Sequence, residues 1–425
     1  MGEYTINGGR KIVGQTKPGG AKNAVLPILA AAAMMGEECC IANAPRISDT
    51  LMSLDILHGL GCTAEYDRSS IIINSSGLCN ATIPNVLSGK MRSSILFMGA
   101  LLGRCGEAKI GLPGGCPLGA RKFDYHIDAL TAMGAKITEN TDYNTFDCIV
   151  PSGKLVGCTV RFPTPSVGAT ENVMLSAVFA EGETIIENAA REPEIIDLAD
   201  FLIKSGAKIK GAGTGRIVIK GISRSSTKPA CHHVIPDRII AGTYLCAAAM
   251  TGGELLLTDI RQPHMVAITE KLHEAGCEIK LDDDFVWLRA PERLVAVNVE
   301  TAPFPGFPTD MQAQFMAMQC ISQGSSLIRE TIFDKRDKHI EELAKMGAHI
   351  ASYDDNSKEI SGVEGLSGAV TYAEDLRGGA ALILAGLAAD GVTIVKNSHH
   401  VERGYENIDL TLNELGADVV LHAAS

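Results

Sequence analysis

One pattern constrains the fold of this chain more than any other: a helix-like run ending in a small residue and glycine, followed at once by a short strand. It occurs six times, as HGLGCTAEY at Gly61, TAMGAKIT at Gly134, IKSGAKIK at Gly206, HEAGCEIK at Gly276, AKMGAHIA at Gly347 and NELGADVV at Gly416. Successive glycines stand about 70 residues apart, beyond the ~20–50-residue periods of solenoid arrays, so each copy marks a small subdomain. A second series interleaves with the first, in which apolar helices run into glycine and then strand: AAAAMMGEECCIANA, ALLGRCGEAKIGL, AVFAEGETIIENA, AAAMTGGELLLTDI, MQCISQGSSLIRETI and GLAADGVTIVKN. Both read as helices capped by a left-handed glycine that feeds directly into a strand. Each unit is then β-α-β-α-β-β.

Six such units exceed what one core supports, since single cores stop growing near ~250–300 residues and the chain has 425. Two similar α/β domains of three units each are expected, with a ligand cleft between them. The boundary is expected in Ser223–His233 (SRSSTKPACHH), rich in turn formers and without a hydrophobic period. That division gives residues 22–230 as the first domain and 1–21 plus 231–425 as the second. The opening strand, Thr5 to Val13, is expected to close a sheet of the second domain.

Composition narrows the function. A formal net charge of −12 argues against nucleic acid or an anionic membrane as partner, and leaves any anionic substrate to a few focused Lys and Arg residues. Aromatics make up only 5% of the chain, with one Trp, which suits close helix-on-sheet packing better than a base-stacking surface. The first residues, MGEYTINGGRKIVG, carry no apolar signal segment. The apolar stretch Ala24–Met35 is interrupted by Pro27 and falls short of the ~18 residues of a membrane span. Twelve cysteines without a secretory signal read as reduced cytoplasmic thiols.

Chemistry is expected at a few positions. Cys116 lies among three glycines and two prolines in Leu112–Arg121, a poor helix or strand, so its thiol is presented on a loop, with Arg121 near enough in sequence to favour a thiolate. The other cysteines mostly sit in apolar periodic segments as small hydrophobes. Lys22 and Asn23 open an apolar helix, where backbone N–H groups favour an anion. Arg92, Arg377 and Arg403 likewise stand at helix entrances in other units, and the four cations together point to a phosphate- and carboxylate-bearing ligand. Asp310, in Phe304–Gln314, is either a helix N-cap, as Thr309 could also be, or a general base. Gly211–Gly215 lacks dinucleotide-loop spacing and reads as a hairpin turn; Cys231-His232-His233 lacks a second ligand pair, so no zinc site is expected.

The motifs Lys22-Asn-Ala-Val-Leu-Pro-Ile-Leu29, Pro113-Gly-Gly-Cys-Pro-Leu-Gly-Ala-Arg121, Ser166-Val-Gly-Ala-Thr170, Glu187-Asn-Ala-Ala-Arg-Glu-Pro-Glu194, Phe307-Pro-Thr-Asp-Met-Gln-Ala-Gln314 and Arg403-Gly-Tyr-Glu406 resemble the enolpyruvyl transferase family that includes the EPSP synthases. The Cys-bearing loop is similar to that of the branch acting on UDP-N-acetylglucosamine. The resemblance implies an inside-out α/β barrel in each domain and transfer of the enolpyruvyl group of phosphoenolpyruvate to a sugar hydroxyl. It implies the first committed step of peptidoglycan synthesis, in the cytoplasm, with no cofactor or metal and alkylation by fosfomycin. By motif, Lys22 and Asn23 would hold phosphoenolpyruvate, Arg121 and Arg403 its phosphate and carboxylate, and Arg92 the sugar nucleotide. Arg121, Lys122, Phe123, Asp124 and Tyr125 would form one wall of the uridine site, Ser166, Val167 and Gly168 another, with Ile332 also on the nucleotide sugar. Cys116 would donate a proton and Asp310 would orient or deprotonate the acceptor hydroxyl. The chain departs from the family pattern at Lys122-Phe123, Thr164, Ile240 and Asp334–Lys338. Rival readings are a shikimate 3-phosphate acceptor, a non-catalytic UDP-sugar-binding regulator, and a peroxide-sensing role for Cys116.

Overall fold

All six glycines of the first series lie just past the end of a helix with φ between 94° and 106°. In each copy the glycine N–H donates to the carbonyl three residues back and the next N–H to the carbonyl five back, as in Gly206 to Ile203 and Ala207 to Leu202, both 2.9 Å. This is the Schellman closure, and its left-handed residue strains any side chain with a Cβ. The residue that follows is always Ala or Cys and always buried, so the chain turns tightly into its strand. The second series shares the left-handed conformation, with φ between 65° and 103° at Gly36, Gly106, Gly182, Gly252, Gly324 and Gly391. Gly36, Gly106 and Gly252 close helices as expected, whereas Gly182, Gly324 and Gly391 follow the isolated bridge residues Glu181, Gln323 and Asp390, past the helix ends.

These caps build six four-stranded sheets on one plan. In one of them Thr82–Ile83 runs parallel to Glu107–Gly111, which pairs antiparallel with Thr145–Ile149, itself antiparallel to Lys136–Asn140. Gly211–Gly215 forms the loop joining the paired strands Lys208–Lys210 and Arg216–Lys220.

The computed structural model describes residues 2–114 and 123–423. They form two compact units, residues 20–114 with 123–235, and 2–19 with 236–423. The first unit is built around the helices Lys22–Met35, Leu96–Cys105 and Val167–Ala177, with Leu96–Cys105 packed against both others. Every side chain of Lys22–Met35 except Asn23 is buried, which is why the segment shows no amphipathic stripe. The helices Ser48–Gly59, Asp124–Ala132 and Pro193–Lys204 each keep an exposed face. Strands such as Ser70–Asn74 alternate between buried and half-buried positions and form the outer layer, so each barrel carries its helices inside. The second unit repeats the design around Arg238–Met250, Gln312–Gln319 and Leu376–Ala388.

Two details differ from expectation. The chain leaves the first unit at residues 235–236, beyond Ser223–His233, because Ala230–His233 pairs in parallel with Cys39–Ala42 and completes a sheet of that unit. The opening segment is two strands rather than one. Glu3–Asn7 inserts between Val392–Lys396 and Val419–His422, and Val13–Thr16 runs parallel to Glu254–Leu257, both in the second unit. Gly8 and Gly9 separate them. A Cβ on Gly8 would lie 2.0 Å from the Ala389 carbonyl oxygen, and Gly9 has φ 81°. Among the described residues no helix is long and apolar enough to cross a membrane.

Candidate functional site

In the first unit, Lys22 begins its helix with a side chain only 9% exposed, and its Nζ lies 2.7 Å from Asp49 Oδ2, whose side chain is 6% exposed. An ammonium so deep in an apolar core requires a counter-charge. Asp49 supplies one from the first turn of Ser48–Gly59, where a carboxylate also suits the helix dipole. Asn23 is the half-exposed residue of that helix entrance.

Arg92 opens the 3₁₀ turn Arg92–Ile95, its guanidinium 4.7 Å from the centre of the Phe123 ring. Burial pushes its pKa down to about 10. Next to it His126 is buried, and desolvation followed by the Arg92 charge pushes it down to about 4. Its tautomer follows from its neighbours. Gly99 N–H donates to Asn172 Oδ1 at 2.7 Å, so the Asn172 amide donates to His126 Nδ1 at 2.9 Å and the ring proton sits on Nε2. Glycine is required at 99, since a Cβ there would lie 2.1 Å from Asn172 Oδ1. The segments singled out as two walls are neighbours here. Tyr125 Oη lies 3.2 Å from Thr164 Oγ1, and Gly168 abuts the His126 ring. Ser166 caps Val167–Ala177 by accepting from Ala169 N–H at 3.4 Å, Val167 begins that helix, and Asp124 is exposed at the start of Asp124–Ala132.

In the second unit the acid and two arginines meet. Asp310 sits in the 3₁₀ turn Thr309–Met311, and neither it nor Thr309 caps the following helix. Instead Arg336 Nη2 reaches Asp310 Oδ1 at 3.0 Å, and Arg377 reaches Oδ2 through Nη2 at 2.9 Å and Nε at 3.3 Å. Both arginine side chains are 3% exposed, whereas Asp310 keeps 25% of its side chain open. The two guanidiniums outweigh the desolvation cost and hold the carboxyl far below the usual carboxylate range. Arg377 is fixed further by its helix entrance, where Asp375 accepts from the N–H groups of Arg377 and Gly378 at 2.9 and 2.8 Å. Arg336 Nη1 donates to Thr309 Oγ1, which donates to Glu330 Oε2. Glu330 also accepts from the N–H groups of Ile332 and Phe333, leaving the Ile332 side chain exposed.

Arg336 was not singled out from sequence. In Asp-Lys-Arg-Asp-Lys it reads as one more solvated charge, yet it is buried, and among the described residues its Nε has no hydrogen-bond partner. Among the described residues the ring nitrogens of the neighbouring buried His339 likewise have no partner. Arg403 does not enter the last helix directly. It is half-buried in the turn at 401–404, ahead of Ile408–Glu414. Of the departures, Ile240 is core, 5% exposed in Arg238–Met250, and Thr164 is the exposed partner of Tyr125. Cys116, Arg121 and Lys122 lie outside the described residues. Among the described residues no three His, Cys, Asp or Glu side chains are grouped to hold a metal ion.

His126 and His339 make acid a specific hazard. Both are held near 4 by burial, against ~6.5 in an unfolded chain. Between those values the unfolded chain binds more protons, so the histidines' contribution is intact above ~6.5 and is lost as pH falls toward 4, by about 2 kcal/mol each at pH 5. In an imidazole NMR titration their ring signals should still report the neutral form at pH 5.5 while exposed histidines have moved; charged-form shifts there would refute this.

The family model described as EPSP synthase (3-phosphoshikimate 1-carboxyvinyltransferase) matches residues 6–412. A UDP-N-acetylglucosamine 1-carboxyvinyltransferase from Trichlorobacter lovleyi is 44% identical over 419 residues, covering 99% of each chain. One of the same name from Finegoldia magna is 45% identical over 409 residues, covering 96% of this chain and 95% of that protein. Among solved structures, the enolpyruvyl transferase NikO from Streptomyces tendae superposes with a TM-score of 0.89 at 26% identity, over 100% of this chain and 99% of that one. An EPSP synthase from Acinetobacter baumannii gives 0.77 at 16% identity over 100% of both chains, a likeness of fold.

Proposed function

The chain belongs to the EPSP synthase family of carboxyvinyltransferases, and from that premise we propose that it transfers the enolpyruvyl group of phosphoenolpyruvate to the 3′-hydroxyl of UDP-N-acetylglucosamine, releasing phosphate. The similarity over nearly the full length to relatives named for that reaction supports the acceptor, as does the Cys116 loop in the sequence. The reaction is the first committed step of peptidoglycan synthesis and belongs in the cytoplasm. The observation that carries the chemical reading is the Asp310 carboxylate, partly open and clamped by two buried arginines.

Protonation of C3 of phosphoenolpyruvate, by Cys116, develops positive charge at C2, which the sugar hydroxyl attacks. The tetrahedral adduct then loses a C3 proton and phosphate. Such a path needs an acid, a base and cations placed where charge develops. Lys22 and Asn23 hold phosphoenolpyruvate, Arg121 and Arg403 its phosphate and carboxylate, and Arg92 the sugar nucleotide. Lys122, Phe123, Asp124 and Tyr125 line the uridine beside Ser166, Val167 and Gly168, with Ile332 on the nucleotide sugar. Asp310 acts first as the acceptor that orients the hydroxyl. A carboxylate with so low a proton affinity is a weak base until an arginine releases it. Arg377 sets its angle.

The test is phosphate release from phosphoenolpyruvate, with UDP-N-acetylglucosamine or shikimate 3-phosphate as acceptor, with and without fosfomycin. Release is expected with the UDP-sugar alone and is abolished by prior exposure to the epoxide. Release with shikimate 3-phosphate would overturn the acceptor assignment, and binding of the UDP-sugar without release would overturn the catalytic one.

A further inference from the structure

Cys40 and Cys231 are far apart in sequence but adjacent in the structure. The parallel pairing of Glu38–Ala42 with Ala230–His233 sets Cys231 directly opposite Cys40. Neighbouring strands lie ~4.8 Å apart, inside the ~4.4–6.8 Å Cα range of disulfides. Strand alternation sends Cys39 into the core, 0% exposed, and turns Cys40 and Cys231 to the outer face, one half-buried and the other exposed. Both thiols are free, and no other two cysteines among the described residues occupy paired strand positions. Cys148, Cys246, Cys277 and Cys320 are instead buried, with burial pushing each thiol up.

Ala230–His233 is an edge strand whose one neighbour is Glu38–Ala42, and the chain leaves the unit just beyond it, at 235–236. An edge strand can twist enough to bring two Cβ atoms from strand spacing to bonding distance. A bridge that requires such a twist and is open to solvent belongs to the reducible class of disulfides.

We propose that Cys40 and Cys231 form a reversible redox site, closed to a disulfide by hydroperoxides and reopened by dithiols. One thiolate attacks a peroxide oxygen, the O–O bond breaks, and the sulfenic acid forms with release of water or alcohol. The second sulfur attacks the sulfenic sulfur and displaces hydroxide, which leaves as water after taking the remaining thiol proton. Two thiols are oxidised and one peroxide is reduced. Cys40 is half-buried, and that burial, followed by its interaction with Cys231, raises its pKa; Cys231 is the exposed sulfur of the pair and is the one that reaches the peroxide. The bridge would staple the edge strand to its neighbour. The inference is independent of the substrate assignment.

The test treats the whole protein with hydrogen peroxide, alkylates the remaining thiols and digests it with trypsin without reduction. The peptide of residues 23–46 should be found joined to that of residues 225–238, separable by dithiothreitol. The joined species should vanish in Cys40→Ser and in Cys231→Ser and persist in Cys39→Ala. Amide exchange at residues 231–234 should slow roughly tenfold in the bridged form. Oxidation of the exposed Cys79 without joined peptides, or a link that survives Cys40→Ser, would overturn the proposal; unchanged exchange would overturn the stapling.

Discussion

Asp310→Asn should lower kcat by ~10³-fold, within the 10²–10⁴ range of general acid–base groups, and should also weaken the fold. Arg336 and Arg377 are both buried and both spend hydrogen bonds on this one carboxylate. Asparagine keeps the shape but removes the charge, leaving two guanidiniums facing an amide that can accept through only one oxygen. Breaking a buried pair costs ~3–5 kcal/mol, which for a unit of this size lowers the melting temperature by roughly 6–20 °C. The two effects are separable by measuring phosphate release well below the melting range. A variant that melts early but turns over normally would leave Asp310 as a structural anchor and remove it from the reaction.

Asp49→Ala is the second large effect, and Asp49 never touches substrate in this reading. Its carboxylate holds the Lys22 ammonium at 2.7 Å with both side chains buried. Without it the buried ammonium loses its carboxylate counter-charge, at a cost of ~3–5 kcal/mol. The amine also loses its aim, so KM for phosphoenolpyruvate should rise tenfold or more, equivalent to ~1.4 kcal/mol. Lys22→Met with Asp49→Leu gives the discriminating result. Replacing both charges by apolar groups is often neutral or stabilising, so this double variant should melt near the wild type and yet release no phosphate. An active double variant would mean that Lys22 serves the core alone.

Local geometry is legible in this chain's residues and convergence is not, for a physical reason. A left-handed glycine declares itself because few other residues tolerate its φ, and the six capping glycines of the first series could be found that way. The inner helices were visible as apolar runs, because helices buried on every side need no polar face. Arg336 was not visible, because its burial depends on partners at Thr309 and Asp310 brought from another segment. Asp49 was hidden likewise, as an ordinary first-turn acid. The split of the opening strand turned on how closely the Gly8 backbone approaches Ala389, which no local pattern records. Arg403 occupies a turn rather than a helix entrance, because the helix starts only at Ile408.

The discontinuity of the second unit sets an order of assembly on a growing chain. Glu3 pairs with Lys396, so at translation speeds of ~5–20 residues per second the first strand waits roughly 20–80 s for its neighbour. Meanwhile residues 20–235 contain every strand of their own three sheets and can finish folding while the rest is still being made. The opening strand must spend that interval as an unpaired edge. Its short length, with Glu3, Thr5 and Asn7 along one face, gives a stray sheet little apolar surface to capture it during the wait.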